Sequence, residues 1–207
     1  MIDILWAFDP AVLAAFVLAG LLLNITPGAD FVFVTASGIA GGPRQGMAAA
    51  LGINLGVALH IFAAAAGVSA LILAYPSLYH IIRWAGAAYL LFLAIQTWRA
   101  SSDLTEGQAE KTVGRSIWRG FVTNVLNPKT ALFIFAFIPQ WTDPNIGPVW
   151  AQILILGAIF QINGFVFSLC LGAAAGALST WLRGKARALA RLSSLMFGGL
   201  ALRLALD

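Results

Sequence analysis

The chain has 207 residues, of which 60% are hydrophobic and 10% are charged, and its mean hydropathy is +0.89. These values exclude a water-soluble globular domain and a disordered chain, because so few charged side chains cannot cover the surface of a fold of this size. The net charge of +4 does not indicate nucleic-acid binding, since the cations lie at the ends of apolar runs and not on one basic face. The composition predicts an all-α integral membrane protein in contact with lipid.

Charge-free intervals predict six membrane spans, because a charge at mid-depth costs at least about 2.5 kcal/mol and a span needs about 20 residues. The first span continues through Asp30 and the fourth through Lys129, since the apolar pieces on either side are too short alone. With Asp3 and Asp9 where a signal peptide carries positive charge, we expect the first apolar segment to be retained. The predicted spans are 10–37, 46–74, 78–99, 117–140, 149–180 and 187–205.

Basic residues are concentrated in the connections that follow spans one, three and five. The positive-inside rule then predicts that these loops are cytoplasmic and that both termini lie outside. Nine of the twelve cations share this distribution: Arg44, Arg99, Lys111, Arg115, Arg119, Arg183, Lys185, Arg187 and Arg191.

The two halves of the chain have the same charge spacing. Residues 31–43 separate Asp30 from Arg44, residues 130–142 separate Lys129 from Asp143, and a long charge-free run follows in each half. Because each half has three spans, the second must enter the membrane upside down. The spacing predicts a 3+3 inverted repeat, with three-helix repeats at 1–100 and 117–207 and a cytoplasmic linker at 101–116.

Two prolines lie deep within apolar segments, Pro27 in the first span and Pro128 in the fourth. Proline removes a backbone donor and frees a carbonyl, and free backbone groups at membrane depth are tolerated only where they line a cavity or face protein. The ends of half-helices suit an anion and a cation, and an amino acid carries both charges. The polar, flexible and helix-breaking residues at the two breaks are candidate ligands: Asn24, Thr26, Pro27, Gly28, Asn124, Asn127 and Pro128.

Asp30 and Lys129 follow the two breaks and are the only formal charges in the middle of predicted spans. Intramembrane ionisable groups are functional candidates. On that interpretation Asp30 meets a substrate ammonium or a coupling proton, and Lys129 meets a carboxylate or serves as an internal counter-ion. The structural alternative is a buried pair that only holds the halves together.

Four further polar residues lie within predicted spans. His60, six residues after Asn54 in the second span, can relay a proton near physiological pH or can be a neutral packing residue. Gln161 and Asn163 in the fifth span can hydrogen-bond a substrate or a neighbouring helix. Gly52 and Gly56 favour close helix approach, and such small residues also permit a homodimer.

Motifs of ATP-driven or hydrolytic chemistry are absent from the sequence, which has neither a Walker loop nor an HExxH motif. We therefore expect no enzyme activity, no metal site and no cofactor, and an ion gradient as the energy source.

Several motifs resemble the LysE/RhtB family of bacterial amino-acid exporters. They are Thr26-Pro27-Gly28-Ala29-Asp30, the segment 46–56 with Leu59-His60, the segment 83–90, and the segment 124–132 running to Ile138-Pro139-Gln140. The family commonly has a second proline where this chain has Ala29. The resemblance implies efflux of amino acids or close derivatives across the bacterial inner membrane, driven by the proton motive force.

Two other functions stay open on the residues alone. One is export of another small solute or a cation, although no cluster of Cys, Met or His favours a soft metal. The other is a non-transporting membrane scaffold in which the two buried charges are purely structural.

Overall fold

The computed structural model describes residues 2–26, 28–74 and 112–206, together with a few positions between 84 and 98. All regular structure in these residues is helical, which confirms the predicted all-α class. Pro27, most of the predicted third span and most of the predicted linker lie outside the described residues.

The first predicted break separates two helices. A short helix α1, Ile2–Ala7, precedes α2, Pro10–Ile25, whose N-cap Asp9 accepts a 2.7 Å hydrogen bond from the Ala11 amide. Thr26 is extended and ends α2, and the next helix, α3, begins at Ala29. The helix break predicted at this position is confirmed.

Helix α3, Ala29–Ala74, contains the predicted junction of spans one and two. The structure replaces the expected connection around 38–45 with a sharp kink at Gly42, where φ is 75° and ψ is −178°. Glycine adopts this left-handed conformation without steric cost, and Pro43 then restarts the helix with a fixed φ. The two arms, 29–41 and 43–74, thus meet without a loop.

The second predicted break is also present. Helix α4, Val113–Val125, ends just before α5, Pro128–Leu132, and the chain direction bends by 54° between α4 and the segment Pro128–Trp141. The continuation differs from the expected α-helix, since Phe133–Phe137 is π-helical and Ile138–Trp141 is 3₁₀. Pro139 has no amide hydrogen to donate to the fourth preceding carbonyl, so the α pattern cannot pass through it.

The last helix, α6, spans Val149–Leu206 after a 3₁₀ turn at Pro144–Ile146. The sequence predicted a basic connection between two spans near 181–186, but the backbone there is helical. This stretch contains no proline before Arg191, and it is rich in alanine, leucine, arginine and lysine, which favour helix.

Length and apolar composition qualify two described helical stretches as membrane spans, Ala29–Gly67 and Val149–Ala175. The bent pair Val113–Val125 and Pro128–Trp141 qualifies as a third if it is one span. The chain is therefore a membrane protein by its helices as well as by its composition.

Glycines bring α3 against both α4 and α6 at backbone distance. A Cβ on Gly52 would lie 2.0 Å from the carbonyl oxygen of Ile117 in α4, and a Cβ on Gly46 would lie 2.2 Å from that of Gly172 in α6. The close approach predicted for the second span is confirmed. Two buried apolar clusters result, one around Phe133 and Phe137 and one around Val34.

Candidate functional site

Asp30, in the first turn of α3, is held by residues on either side of the second break. Its Oδ2 accepts hydrogen bonds from Asn124 Nδ2 at 2.8 Å and from Thr130 Oγ1 at 3.0 Å. Asn124 lies in the last turn of α4 and Thr130 lies in α5, so the carboxylate that follows the first break bridges the second.

Lys129, in the first turn of α5, is held at the first break. Its Nζ donates to the carbonyl oxygens of Leu23 at 3.1 Å and Thr26 at 2.9 Å, at the end of α2, where helical carbonyls favour a cation. Asn127 fixes the backbone by capping α5, since its Oδ1 accepts from the Lys129 amide at 3.0 Å. A Cβ on Gly28 would lie 3.2 Å from Lys129 Nζ, so the absence of a side chain at this position leaves space for the ammonium.

The two charges do not form a direct ion pair. In the part of the chain that the structure describes, the polar contacts of Lys129 Nζ are the two carbonyls, and those of the Asp30 carboxylate are Asn124 and Thr130. Each charge is bound by neutral groups of the other half, which leaves both available to a third molecule.

Three buried polar atoms at this site have no hydrogen-bond partner among the described residues. They are the acceptors Asp30 Oδ1 and Asn124 Oδ1 and the donor Asn24 Nδ2. Asp30 and Asn24 line one cavity, and because buried polar groups are almost always paired, their unpaired acceptor and donor mark a place where a ligand can bind.

The cavity between α2, α3, α5 and α6 has a volume of about 40 Å³. This holds only water-sized groups and lies below the range of about 300–1,000 Å³ that is typical of small-molecule sites, so a larger ligand requires the surrounding helices to separate. It is lined by Leu23, Asn24, Thr26, Asp30, Phe31, Val34, Ile53, Asn54, Val57, Lys129, Thr130, Phe160, Gln161, Gly164, Phe167, Ser168 and Leu171.

Two closely packed layers of residues close the cavity at its two ends along α6. The aromatic layer starts at Phe160, whose ring centroid is 5.1 Å from that of Phe133, and continues through Phe137 to Phe16 and Trp141. The glycine layer lies beyond Leu171, where α6 contacts both arms of α3: a Cβ on Gly172 would lie 2.5 Å from the Gly46 backbone, and one on Gly38 2.6 Å from the Gly172 oxygen.

The predicted polar residues divide into those that face the cavity and those that support it. Asn54 and Gln161 both line it, and Gln161 Nε2 donates to the Asn54 carbonyl at 3.3 Å. His60 lies behind it, with Nε2 3.3 Å from the Asn124 carbonyl oxygen and its ring edge-on to Phe135. Asn163 is half-buried and is not a lining residue.

The residues that the structure places at the site and that the sequence analysis did not name include Thr130, Phe160, Gly164 and Ser168. Helical spacing would have found two of them, because Gly164 and Ser168 follow Gln161 by three and seven positions on one face of α6. The same spacing argues against Asn163.

Comparison with known proteins adds an independent observation. The family profile described as LysE type translocator matches residues 21–207. The chain belongs to the LysE type translocator family. The resemblance seen in the motifs is thereby confirmed, and the family is one of transport proteins.

Relatives of this LysE family chain include named efflux proteins. The homoserine/homoserine lactone efflux protein of Salmonella typhimurium is 32% identical over 172 residues, 82% of this chain and 83% of the relative. The leucine efflux protein of Enterobacter sp. (strain 638) is 32% identical over 198 residues, covering 92% and 93%. A membrane protein of Vibrio cholerae serotype O1 is 32% identical over 151 residues, covering 72% and 73%. No solved structure matches the chain.

Proposed function

We propose that this translocator exports amino acids or close derivatives from the cytoplasm by secondary active transport. One observation carries the proposal: Asp30 and Lys129 face one cavity without pairing, and the carboxylate keeps a buried oxygen without a partner. The relatives named for homoserine and leucine efflux support the same substrate class.

The cavity offers a counterpart to each end of a zwitterion. A substrate ammonium pairs with Asp30 Oδ1, and its carboxylate accepts from the third proton of Lys129 Nζ and from Asn24 Nδ2. Charge-assisted hydrogen bonds of this kind are about twice as strong as neutral ones. The breaks at Pro27 and Pro128 expose the backbone that holds these side chains.

The chain is proposed to be a six-span protein with a 3+3 inverted repeat, 1–100 and 117–207, joined by a linker at 101–116. The reciprocal contacts support it, since the charge after each break is bound at the other break. The helix ends support it too, because Ile25 and Val125, and likewise Ala29 and Pro128, differ by about one hundred positions.

Alternating access is proposed to occur between the aromatic layer and the glycine layer, each opening while the other stays closed. In a bacterial cytoplasmic membrane with its basic loops inside and both termini outside, the glycine layer near Arg44 faces the cytoplasm and the aromatic layer faces outward. The π-helix within the aromatic layer supports a moving role, because such turns are frequent at functional sites.

The proton motive force is the proposed energy source. Asp30 is the proton carrier in this scheme, since its Oδ1 can take either a proton or a substrate ammonium. Occupation by one excludes the other, and this competition couples the two fluxes. One charge moved through 100 mV yields about 2.3 kcal/mol.

The test loads cells with amino acids supplied as dipeptides and measures which appear outside faster when the chain is expressed. We expect efflux that an uncoupler abolishes and that Lys129→Ala lacks, while Asp3→Asn, which removes an exposed charge far from the cavity, retains it. Equal amino-acid efflux with and without the chain, at verified membrane expression, would contradict the proposal and favour another solute or a scaffold.

A further inference from the structure

We infer that the cavity selects neutral amino acids with an apolar side chain, an inference that rests on the proposed amino-acid transport. Among the described lining residues, one pair of opposite charges is combined with a group of apolar side chains at one end of the cavity. The charges set the net charge of the substrate, and the apolar end sets its side chain.

The charge balance of the wall fits a zwitterion and no further charge. Among the described lining residues, Asp30 is the one acidic side chain and Lys129 the one basic side chain. A zwitterion uses both. The side chain of lysine or glutamate would bring a third charge into the cavity without a counter-ion, and an unpaired buried charge is strongly disfavoured.

The apolar end of the cavity begins one turn beyond Asp30. Val34 follows on the same face of α3, and Leu171 of α6 lies opposite in the same buried cluster, where both are almost fully buried. The rings of Phe31 and Phe167 stack at 6.4 Å beside them. This end can solvate a methyl or methylene group but supplies few partners for a polar one.

The other end of the cavity is closed by an aromatic ring. Phe160 closes it against α2, since a Cβ on Gly20 would lie 3.1 Å from its ring, and the aromatic layer continues behind it. We therefore expect a substrate whose ammonium is on Asp30 to direct its side chain along Val34 and Phe167 toward the glycine layer.

Ser168 gives this end its one hydroxyl among the described lining residues, between Phe167 and Leu171. It is half-buried and lines the cavity, so a polar side chain placed there is expected to reach the substrate. It is therefore the position at which a single new charge should change the preferred substrate.

The first experiment measures counterflow in liposomes that contain the purified full-length chain. Each amino acid is loaded unlabelled inside the liposomes, and the uptake of its radiolabelled form from outside is measured. Norvaline and homoserine form a matched pair, because a terminal methyl in one replaces a hydroxyl in the other. We expect norvaline and leucine to exchange faster than homoserine by a factor on the order of ten at subsaturating concentration. Lysine and glutamate should stay at the level of protein-free liposomes.

The second experiment places a carboxylate at the apolar end. Ser168→Asp should bring lysine counterflow above background and lower that of norvaline, whereas the neutral control Ser168→Asn should not admit lysine. A folded Ser168→Asp variant that still rejects lysine would contradict the placement of the substrate side chain.

The outcomes separate this inference from the proposed function. Equal exchange of homoserine and norvaline, or lysine exchange by the unaltered chain, would overturn the selectivity and leave amino-acid transport standing. No counterflow of any amino acid, with protein that is monodisperse by size-exclusion chromatography, would overturn both. The panel on the unaltered chain decides the selectivity even if the Ser168 variants fail to fold.

Discussion

Asn124 Nδ2 donates a 2.8 Å hydrogen bond to Asp30 Oδ2 across 94 positions of the chain. This bond joins the last turn of α4 to the first turn of α3, so it links the two helix breaks directly. Asn124 has little freedom to move, because a Cβ on Gly56 would lie 2.6 Å from its Oδ1. The position of the Asp30 carboxylate thus depends on Gly56, which lies in the second arm of α3.

The first prediction follows from that dependence. Gly56→Ala should push Asn124 away from Asp30, lower the free energy of unfolding by about 1–3 kcal/mol and reduce efflux. Gly67→Ala is the matched control, because a Cβ there meets nothing within 4 Å and alanine is the better helix former. Thermal unfolding in detergent and efflux from cells measure the two effects, and unaltered efflux by Gly56→Ala would argue against the Asn124 link.

The second prediction distinguishes a binding site from a structural ion pair. Asp30→Asn and Lys129→Met should each lower efflux at least about tenfold, the loss expected for one charge-assisted hydrogen bond of about 1.5–3 kcal/mol. The double variant should be no better than either single variant, because the two side chains are bound by neutral groups and not by each other.

A structural pair makes the opposite prediction for the same three variants. Removing one partner would leave an uncompensated buried charge, and removing both would restore stability and function in part. Recovery of efflux in the double variant would therefore support the structural alternative. Asp3→Asn controls for the loss of one charge outside the cavity.

The sequence predicted the breaks and the two mid-span charges because proline and mid-span charge are local signals. Helix α2 ends at Ile25 and α5 begins at Pro128, as the prolines require. The partners of those charges were not predictable, since spacing within a helix says nothing about which carbonyl 103 or 106 positions away an ammonium will reach.

The segment after the second break shows a different limit of sequence reasoning. Its apolar composition predicted a continuous α-helix to residue 140, but Pro139 and the packing of Phe133 and Phe137 produce a π and then a 3₁₀ turn. Likewise, Asn163 has the chemistry of a ligand but lies off the lining face, whereas Gly164 and Ser168 lie on it. The orientation of a helix decides such cases, and one sequence does not fix it.

The third prediction concerns His60, for which a proton relay and a packing role were both open. Its Nε2 contacts a backbone carbonyl, its ring packs against Phe135, and it is not a lining residue. We expect His60→Gln to keep at least about half of the efflux and the same dependence on external pH, because an amide can also donate to a carbonyl. A flattened pH profile in this variant, with normal membrane expression, would establish the relay.

The fourth prediction concerns the aromatic layer as the outer gate. The ring of Phe137 is buried and contacts three other rings, with centroids 4.5 Å from Phe133, 5.5 Å from Trp141 and 6.3 Å from Phe16. Phe137→Ala should lower the free energy of unfolding by about 3–5 kcal/mol through the cavity that it leaves.

A gate requires more than this loss of stability, because a weakened outer layer should also let substrate pass without a gradient. We therefore expect Phe137→Ala liposomes to lose preloaded leucine in the absence of external substrate or proton motive force, while liposomes with the unaltered chain retain it. Phe62→Ala is the matched control, since that residue of α3 is 65% exposed and its removal should change neither stability nor leak. If Phe137→Ala is destabilised but its liposomes retain preloaded leucine, the aromatic layer has a packing role alone and the gate lies elsewhere in the bundle.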